Sequence, residues 1–337
     1  MSVILGVDVG GSGLRAQRVD TGGIDSDSKQ GGSSERFGSD RVGLTPRTES
    51  GGSERFESHG AAITAGGIDL EPLIASVVAF DSQHRRSPDV VVWSMRGLLG
   101  LTDPEQVLRQ VHTRLGAKQT VVASDAVASL VGALGEVRPG AVLAVGSGVV
   151  AFATDFQDVW RLVDGWGHVL ADRGSGAWIG LEGLRAALAI EDGVPGGSTY
   201  LHEAASADWG ELRTWPRAVM TSSDAQARLA AFAPVVASLA GEDPVAAHVV
   251  TRAAAHLADS LESALSSVTG SFATAVGGLL RIPEVSAAFE VEARCRGIDL
   301  TAAAGTALDG ALVLGRHVAA GRDLRARAPY LLRASPG

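Results

Sequence analysis

Blocks of apolar residues alternate with polar and glycine-rich breaks along this chain, and their periods predict the elements in order. Residues 3–7 (VILGV) form a β-branched run that ends at Asp8 and breaks into Gly10, Gly11, Ser12 and Gly13, a buried strand entering a tight turn. Residues 14–19 (LRAQRV) alternate, so a second strand folds back on the first as a hairpin. The spacing of Leu70, Leu73, Ile74, Val77 and Val78 predicts a helix over 70–80. A strand at 89–94 (DVVVWS), a helix at 104–115 opened by Asp103, a strand at 120–123 and a helix at 124–134 follow. Strand, helix, strand, helix behind an opening hairpin indicates an α/β domain with parallel pairings.

Pro139-Gly140 marks a seam, after which the pattern starts again. Residues 141–145 and 149–154 make a second hairpin around Gly146, Ser147 and Gly148. Residues 174–190 run into a helix, 227–265 is Ala-rich and helical, 273–276 is a strand and 305–315 a helix. The expected architecture is two similar α/β halves, each opening with a hairpin whose glycine turn could face the other. Between 21 and 60 the composition shifts to Gly, Ser, Arg and Glu, and GGSSERF at 31–37 is nearly repeated by GGSERF at 51–56. One such pair is too little for a solenoid, and the segment reads as hairpins with an exposed tip.

The 337 residues suffice for two domains, and an apolar content of 45% supplies their cores. Lys+Arg 29 against Asp+Glu 38 leaves a net charge of −9, a poor balance for gripping nucleic acid or an anionic membrane. The single cysteine, Cys295, excludes an internal disulfide framework and a Cys-only zinc or iron–sulfur site within one chain. The start, MSVILGVDVGG, lacks the basic region and long apolar stretch of a signal peptide, and no apolar run approaches the roughly 18 residues of a membrane span. The expectation is a soluble, cytoplasmic protein with no nucleic-acid and no membrane partner; a homodimer is compatible with it.

Candidate chemistry sits at the breaks. In the turn from Asp8 through Gly10, Gly11, Ser12 and Gly13, glycines let backbone N–H groups approach phosphate oxygens, Ser12 can donate, and Asp8 can hold hydrated magnesium. No Gly-Lys-Ser/Thr follows, so this is not a Walker loop, and alone the turn reads more simply as a hairpin needing positive φ. Gly146, Ser147 and Gly148 repeat the device, and Gly277 and Gly278 end a third apolar strand where a flat base could lie against bare backbone. Asp125 follows the strand at 120–123 and opens a helix. A carboxylate at a strand's carboxyl end could take a proton from an attacking hydroxyl; the plainer role for Ser124 or Asp125 is to cap the helix. The densest segment holds Asp164, Gly165, Trp166, Gly167 and His168, then DRGSGAWIG from Asp172. It makes poor core and poor helix but suits a loop that holds a sugar ring through carboxylates and an aromatic face. His168 reads as structural, since no metal set lies near it in sequence.

Together these residues resemble the actin-like sugar kinases, specifically the N-acetylglucosamine kinase and BadF/BadG/BcrA/BcrD ATPase family, over most of the chain and in the correct order. Asp8 to Ser12 resembles the first phosphate motif, D-x-G-G-T/S; Ser124-Asp125-Ala126 the segment with the catalytic aspartate; Gly146-Ser147-Gly148 the second phosphate motif, G-T-G. Residues 165–180 resemble G-W-G-x-x-x-G-D-E-G-S-x-x-W-I-G, the most specific of the set; Gly277-Gly278 resembles the adenosine motif and 305–310 the closing helix. The resemblance implies an α/β protein of two ribonuclease-H-like (actin-like ATPase) domains with a cleft between them. These would be 1–138, completed by a C-terminal helix at about 305–325, and 139–304 with helical additions. It further implies ATP, Mg²⁺ and an amino sugar, with Asp125 as base toward the sugar 6-hydroxyl and Asp8 at the metal. Gly10, Gly11, Ser12, Gly13, Gly146, Ser147, Gly148, Gly277 and Gly278 would meet the nucleotide, and Asp164, Gly165, Trp166 and Asp172, with Asp125, the sugar.

The chain departs from the family's pattern in ways that bear on substrate. Gly13 stands where the family often has Lys or Arg, Val149 replaces a polar residue after the second phosphate motif, and Arg173 replaces the Glu after Asp172. Members acting on N-acetylglucosamine usually carry an Asn-containing loop near the sugar's 2-substituent; this chain has no asparagine, and the corresponding stretch, roughly 57–69, reads ESHGAAITAGGID. An acetamide needs a donor for its carbonyl and an acceptor for its N–H, whereas an ammonium wants carboxylates, which Asp164, Asp172 and the acidic balance supply. The expected activity is therefore glucosamine kinase, with N-acetylglucosamine kinase or a broader hexokinase of the same fold as alternatives. A redox-activator ATPase of the BadF branch would need several thiolates where this chain has Cys295 alone. A repressor-type sugar sensor would need a helix-turn-helix, for which a strand starting at residue 3 leaves no room.

Overall fold

The computed structural model describes residues 1–10, 13–21, 47–49, 53–61, 63–64, 67–222, 224–268 and 272–335. The chain opens with β1 (Val3–Val9), β2 (Leu14–Asp20), β3 (Arg47–Glu49), β4 (Ser53–Ser58), β5 (Ile63–Thr64) and β6 (Gly67–Ile68). It continues through α1 (Glu71–Asp81), β7 (Val90–Met95), α2 (Pro104–Leu115), β8 (Gln119–Ser124) and α3 (Asp125–Leu134). A second series follows: β9 (Gly140–Val145), β10 (Val149–Thr154), β11 (Trp160–Asp164), α4 (Gly176–Asp192), α5 (Thr199–Trp209), α6 (Trp215–Met220), α7 (Ala225–Ser238), α8 (Pro244–Leu265), β12 (Phe272–Val276) and α9 (Pro283–Cys295). The chain ends with α10 (Ala307–Ala319) and β13 (Leu331–Ala334). It divides into two compact units, Met1–Val137 with Ala304–Gly337, and Arg138–Ala303.

The first unit is built on a seven-stranded sheet in the order β13-β8-β7-β1-β2-β4-β3. β1 lies antiparallel to β2, with Val9 opposite Leu14, and parallel to β7, which is parallel to β8. Leu5, Val7 and Val9 pack with Leu73, Ile74 and Val77 of α1 and Val107 and Val111 of α2. On the other face, Gly6 and Ile4 meet Leu312 and Gly315 of α10. Covered on both faces, β1 reads over residues 3–7 as a continuous apolar run rather than an alternation, with Asp8 following near its carboxyl end. Local chemistry ends each element: Asp103 caps α2 by accepting from Glu105 N at 3.0 Å, and Gly116 closes it at φ 61°. α3 and α10 cross so closely that a side chain on Gly132 would collide with the Thr306 carbonyl, and one on Gly310 with the Ala128 carbonyl. Within the glycine- and serine-rich 21–60 stretch, β3 and β4 form a hairpin, Glu49 opposite Ser53; residues 22–46 lie outside the described residues.

The second unit has a four-stranded sheet, β11-β10-β9-β12, with β9 and β10 joined as a hairpin (Val145 opposite Val149) and β12 parallel to β9. Alanine-rich faces of α4, α7 and α8 bury Ala186, Ala187, Ala233, Ala237, Ala253 and Ala258 in its core. The helical stretch expected over 227–265 is made of two helices, α7 and α8. Gly241 to Pro244 breaks it, and Asp243 caps α8 through Val245 N and Ala246 N at 3.0 and 3.2 Å with Pro244 in the first turn. β11, α5 and α9 lack a clean period of either kind and were not expected from the sequence.

Candidate active site

In the first unit the carboxyl ends of β1, β7 and β8 stand side by side, with Asp8 in register with Ser94 and Ser94 with Ala123. Ser94 Oγ donates to Asp8 Oδ1 at 3.3 Å, and Arg15 on β2 is the residue opposite Asp8. Asp125, the first residue of α3, follows directly on β8. Ser124 caps this helix, its side chain accepting from Val127 N, and Ala126 N donates to Asp125 Oδ1 at 2.9 Å. Capping thus falls to Ser124 and leaves the Asp125 carboxyl at the strand end. Burial pushes the Asp8 carboxyl up to about 6, the neighbouring Asp125 adds to this, and Arg15 and the Ser94 hydrogen bond pull the other way. Burial likewise raises Asp125, opposed first by the Arg96 guanidinium and then by backbone N–H groups. At this partly dry strand end the Asp125 carboxyl disfavours ionisation of Asp8, which makes the pair a candidate for chemistry. In the adjoining turn Gly10 N donates to Gly13 O at 2.8 Å and Ala61 N to Gly10 O at 3.1 Å; Gly11 and Ser12 lie outside the described residues.

In the second unit the β9–β10 turn is closed by Gly146 N donating to Gly148 O at 2.9 Å. Its carbonyls, Gly146 O and Ser147 O, accept from Gly176 N and Ala177 N at 2.8 and 3.2 Å, which ties the turn to the start of α4. A side chain on Gly277 (φ 126°) would collide with the Val145 carbonyl, so the Gly277-Gly278 bend lies against the end of β9. A Cβ on Gly146 or Gly278, by contrast, would meet nothing within 4 Å. Gly277 is therefore required by packing, while Gly146 and Gly278 border open space where bare backbone is accessible.

The loop between β11 and α4 is held by its aspartates. Asp172 (φ 53°, 3% exposed) accepts from Gly167 N at 3.2 Å and from Gln226 Nε2 at 3.4 Å. Burial raises its carboxyl; the Gly167 N–H holds it down and Asp164 pushes it up again. Asp164 (φ 60°, 5% exposed) accepts from Ser260 Oγ and pairs with Arg173, Nη2 at 3.7 Å from Oδ2. Its oxygens are engaged within the protein, the position of a loop anchor. Gly165 (φ 79°) packs against Val150, and Trp166 is 72% exposed.

Sequence reasoning missed Ser94, Arg96, Gln226 and Ser260. Ser94 and Arg96 end an apolar strand with polar residues, the signal that could have found them. Gln226 and Ser260 lie on remote helices and offer none. Among the described residues no group of three or more His, Cys, Asp or Glu could hold a metal ion. Mg²⁺ needs no such cage when it binds through one carboxylate, water and substrate phosphates, and the Asp8 carboxyl, crowded by Asp125, fits that mode.

The chain matches the BadF/BadG/BcrA/BcrD ATPase family over residues 83–312 and belongs to it. A stretch of 88 residues is 30% identical to the N-acetylmuramic acid/N-acetylglucosamine kinase of Clostridium acetobutylicum; the match spans 26% of this chain and only 28% of that relative's length. In fold the chain is similar to a protein assigned as an N-acetylglucosamine kinase from Chromobacterium violaceum (TM-score 0.68, 21% identity, 93% of this chain and 99% of that one). It is similar also to one so assigned from Porphyromonas gingivalis (TM-score 0.63, 17% identity, 94% and 99%). A third likeness is to a ROK family glucokinase from Streptomyces griseus in complex with glucose and AMPPNP (TM-score 0.54, 18% identity, 94% and 99%). The fold is thus α/β with two ribonuclease-H-like, actin-like ATPase domains.

Proposed function

We propose that this member of the BadF/BadG/BcrA/BcrD ATPase family is an ATP-dependent kinase that transfers the γ-phosphoryl group to the 6-hydroxyl of an amino hexose, with Asp125 as general base. The observation that carries the reading is the setting of Asp125. It heads a helix at the carboxyl end of a parallel strand, beside Asp8, with its carboxyl raised by burial. A carboxylate made more basic by burial accepts a proton more effectively than an ordinary one. In the proposed step the O6 proton passes to Asp125 as O6 forms its bond to the γ-phosphorus. The bond from that phosphorus to the β–γ bridging oxygen breaks, and ADP leaves with the electron pair. Mg²⁺, when bound, would supply charge neutralisation on the phosphates, and Asp8 is the residue that would hold it.

The remaining roles follow the backbone. The turns of Gly10, Gly11, Ser12 and Gly13 and of Gly146, Ser147 and Gly148 would meet phosphate oxygens through N–H groups other than those of Gly10 and Gly146, which donate to Gly13 O and Gly148 O. Gly277 and Gly278 would carry the adenosine. The open space beside Gly146 and Gly278 supports this assignment. Asp172, Gly165 and Trp166 would hold the sugar, Asp164 acting through the loop it anchors.

Glucosamine is the proposed acceptor, because the chain has no asparagine for an acetamide. N-acetylglucosamine is the second reading: Asp164 and Asp172 already have internal partners, which leaves less carboxylate for an ammonium, and the similar proteins carry that sugar in their names. ADP release measured with glucosamine, N-acetylglucosamine and glucose tests both. A higher kcat/KM for glucosamine is expected, and a ratio favouring the acetylated sugar replaces that choice. Absence of sugar-dependent ADP release overturns the kinase reading itself.

A further inference from the structure

We infer that Arg96 is a phosphate-binding residue of this site, a guanidinium that meets the transferring phosphoryl group from the carboxyl end of β7. The anion's identity rests on the kinase reading; the geometry rests on the first unit alone. Met95 and Ser124 are paired across parallel β7 and β8, so Arg96 and Asp125 are the next residues of two adjacent strands. Arg96 N donates to Val9 O at 3.1 Å, which fixes its backbone against the end of β1 as well. The side chain is half-buried, and its charge reaches Asp125. Carboxyl ends of parallel strands are where open α/β sheets receive ligands.

Other arginines of this protein show what a structural role looks like. Arg114 Nη1 donates to both oxygens of Glu71 at 2.9 and 2.8 Å, Arg18 is bonded to Asp81, and Arg296 to Asp259 at 2.8 Å and to Glu292. Among the described residues no hydrogen bond or ion pair of this kind occupies the Arg96 guanidinium. Its fork of donors is uncommitted within the described residues, although the residue is only partly open to solvent. Its charge acts on Asp125 on α3, and beyond that carboxyl lie Asp8 on β1 and, opposite Asp8, Arg15 on β2. Helix α10, packed on α3, contributes Asp309, which is occupied in the Thr306 cap. Both nearby carboxylates have other work, one at the metal and one at the proton. A dianionic phosphoryl oxygen set is the partner whose geometry and charge complete the fork, and its charge would offset the pull of Arg96 on the Asp125 carboxyl.

Replacing Arg96 tests this. In Arg96→Gln we expect kcat to fall about 100-fold or more, as when other phosphoryl-clamping arginines are lost, with sugar KM changed less than about threefold. Arg96→Lys should regain part of the loss, since it restores the charge without the fork. Titration calorimetry with a non-hydrolysable ATP analogue and Mg²⁺ should show weaker binding to Arg96→Gln, with thermal unfolding like the wild type. A folded Arg96→Gln with wild-type kcat and nucleotide affinity overturns the inference. Should that variant fail to fold, Arg96→Lys carries the test, with at least about tenfold lower kcat expected and an unchanged kcat overturning it. A wild type that binds the analogue yet phosphorylates no sugar defeats the kinase reading alone and leaves Arg96 to be judged by nucleotide affinity; one that binds no nucleotide defeats both.

Discussion

The carboxylate of Asp172 occupies the place where Gly148 would carry a side chain: a Cβ there would lie 2.5 Å from Asp172 Oδ2 and 2.9 Å from Gln226 Nε2. The contact couples the β9–β10 turn to the loop between β11 and α4. Gly148→Ala should therefore disturb both, lowering stability by about 1–3 kcal/mol, the usual cost of overpacking. It should also raise sugar KM, because Asp172 must move. Thermal melts and steady-state kinetics on the variant read the two effects, and an unchanged KM would disprove the coupling.

Asp8 makes a prediction with a sign. Its carboxyl stands at about 6 in the folded protein against 3.8 ordinarily, so the native state holds that proton more tightly than the unfolded chain. The group's contribution is most favourable below its unfolded pKa and declines as pH rises through about 6. Asp8→Asn should thus stabilise the protein at about pH 7.5, by on the order of 1 kcal/mol, and give no gain near pH 3.5. Phosphoryl transfer should be lost at the same time. Melting curves at the two pH values decide it, and a variant less stable at the higher pH refutes the account.

Asp125→Asn keeps the side chain's size and an oxygen able to accept from Ala126 N, while the Ser124 cap is untouched. The fold should survive and kcat should drop by about 10²–10⁴, the range for loss of a general base. Near wild-type turnover in the folded variant would remove Asp125 from that role.

The crossing of α3 and α10 depends on glycine. Gly310→Ala would press a methyl group on the Ala128 carbonyl, part of a helix backbone that cannot yield locally. We expect a loss of about 1–3 kcal/mol, read as a lowered midpoint in denaturant, with kcat per folded molecule unchanged. Wild-type stability would mean that the helices separate at no cost.

Much of the first unit was legible because its signals are local. Residues 3–7 are an apolar run, Asp103 and Pro104 start a helix, and Gly116 and Gly135 stop two; each acts within one turn or one strand. The same holds for the hairpin about Gly146 to Gly148. The break at Gly241 to Pro244 is equally local, but the alanines on either side share one composition and mask it. β11 and α9 were not legible, since neither WRLVD nor PEVSAAFEVEARC keeps a clean period.

The candidate site divides along the same line. By itself the sequence determined where the glycine turns fall, that Asp8 and Asp125 each end an apolar strand, and that one dense loop gathers Asp164, Trp166 and Asp172. Only the tertiary structure decided which of these groups are engaged with one another. Asp164 is held by Ser260 and Arg173, Asp172 fills the space over Gly148, Asp125 crowds Asp8, and among the described residues no hydrogen bond or ion pair occupies the Arg96 guanidinium. Backbone preferences are set by neighbours a few residues away, whereas the burial and pairing of a charge depend on side chains that the fold brings in from distant parts of the chain.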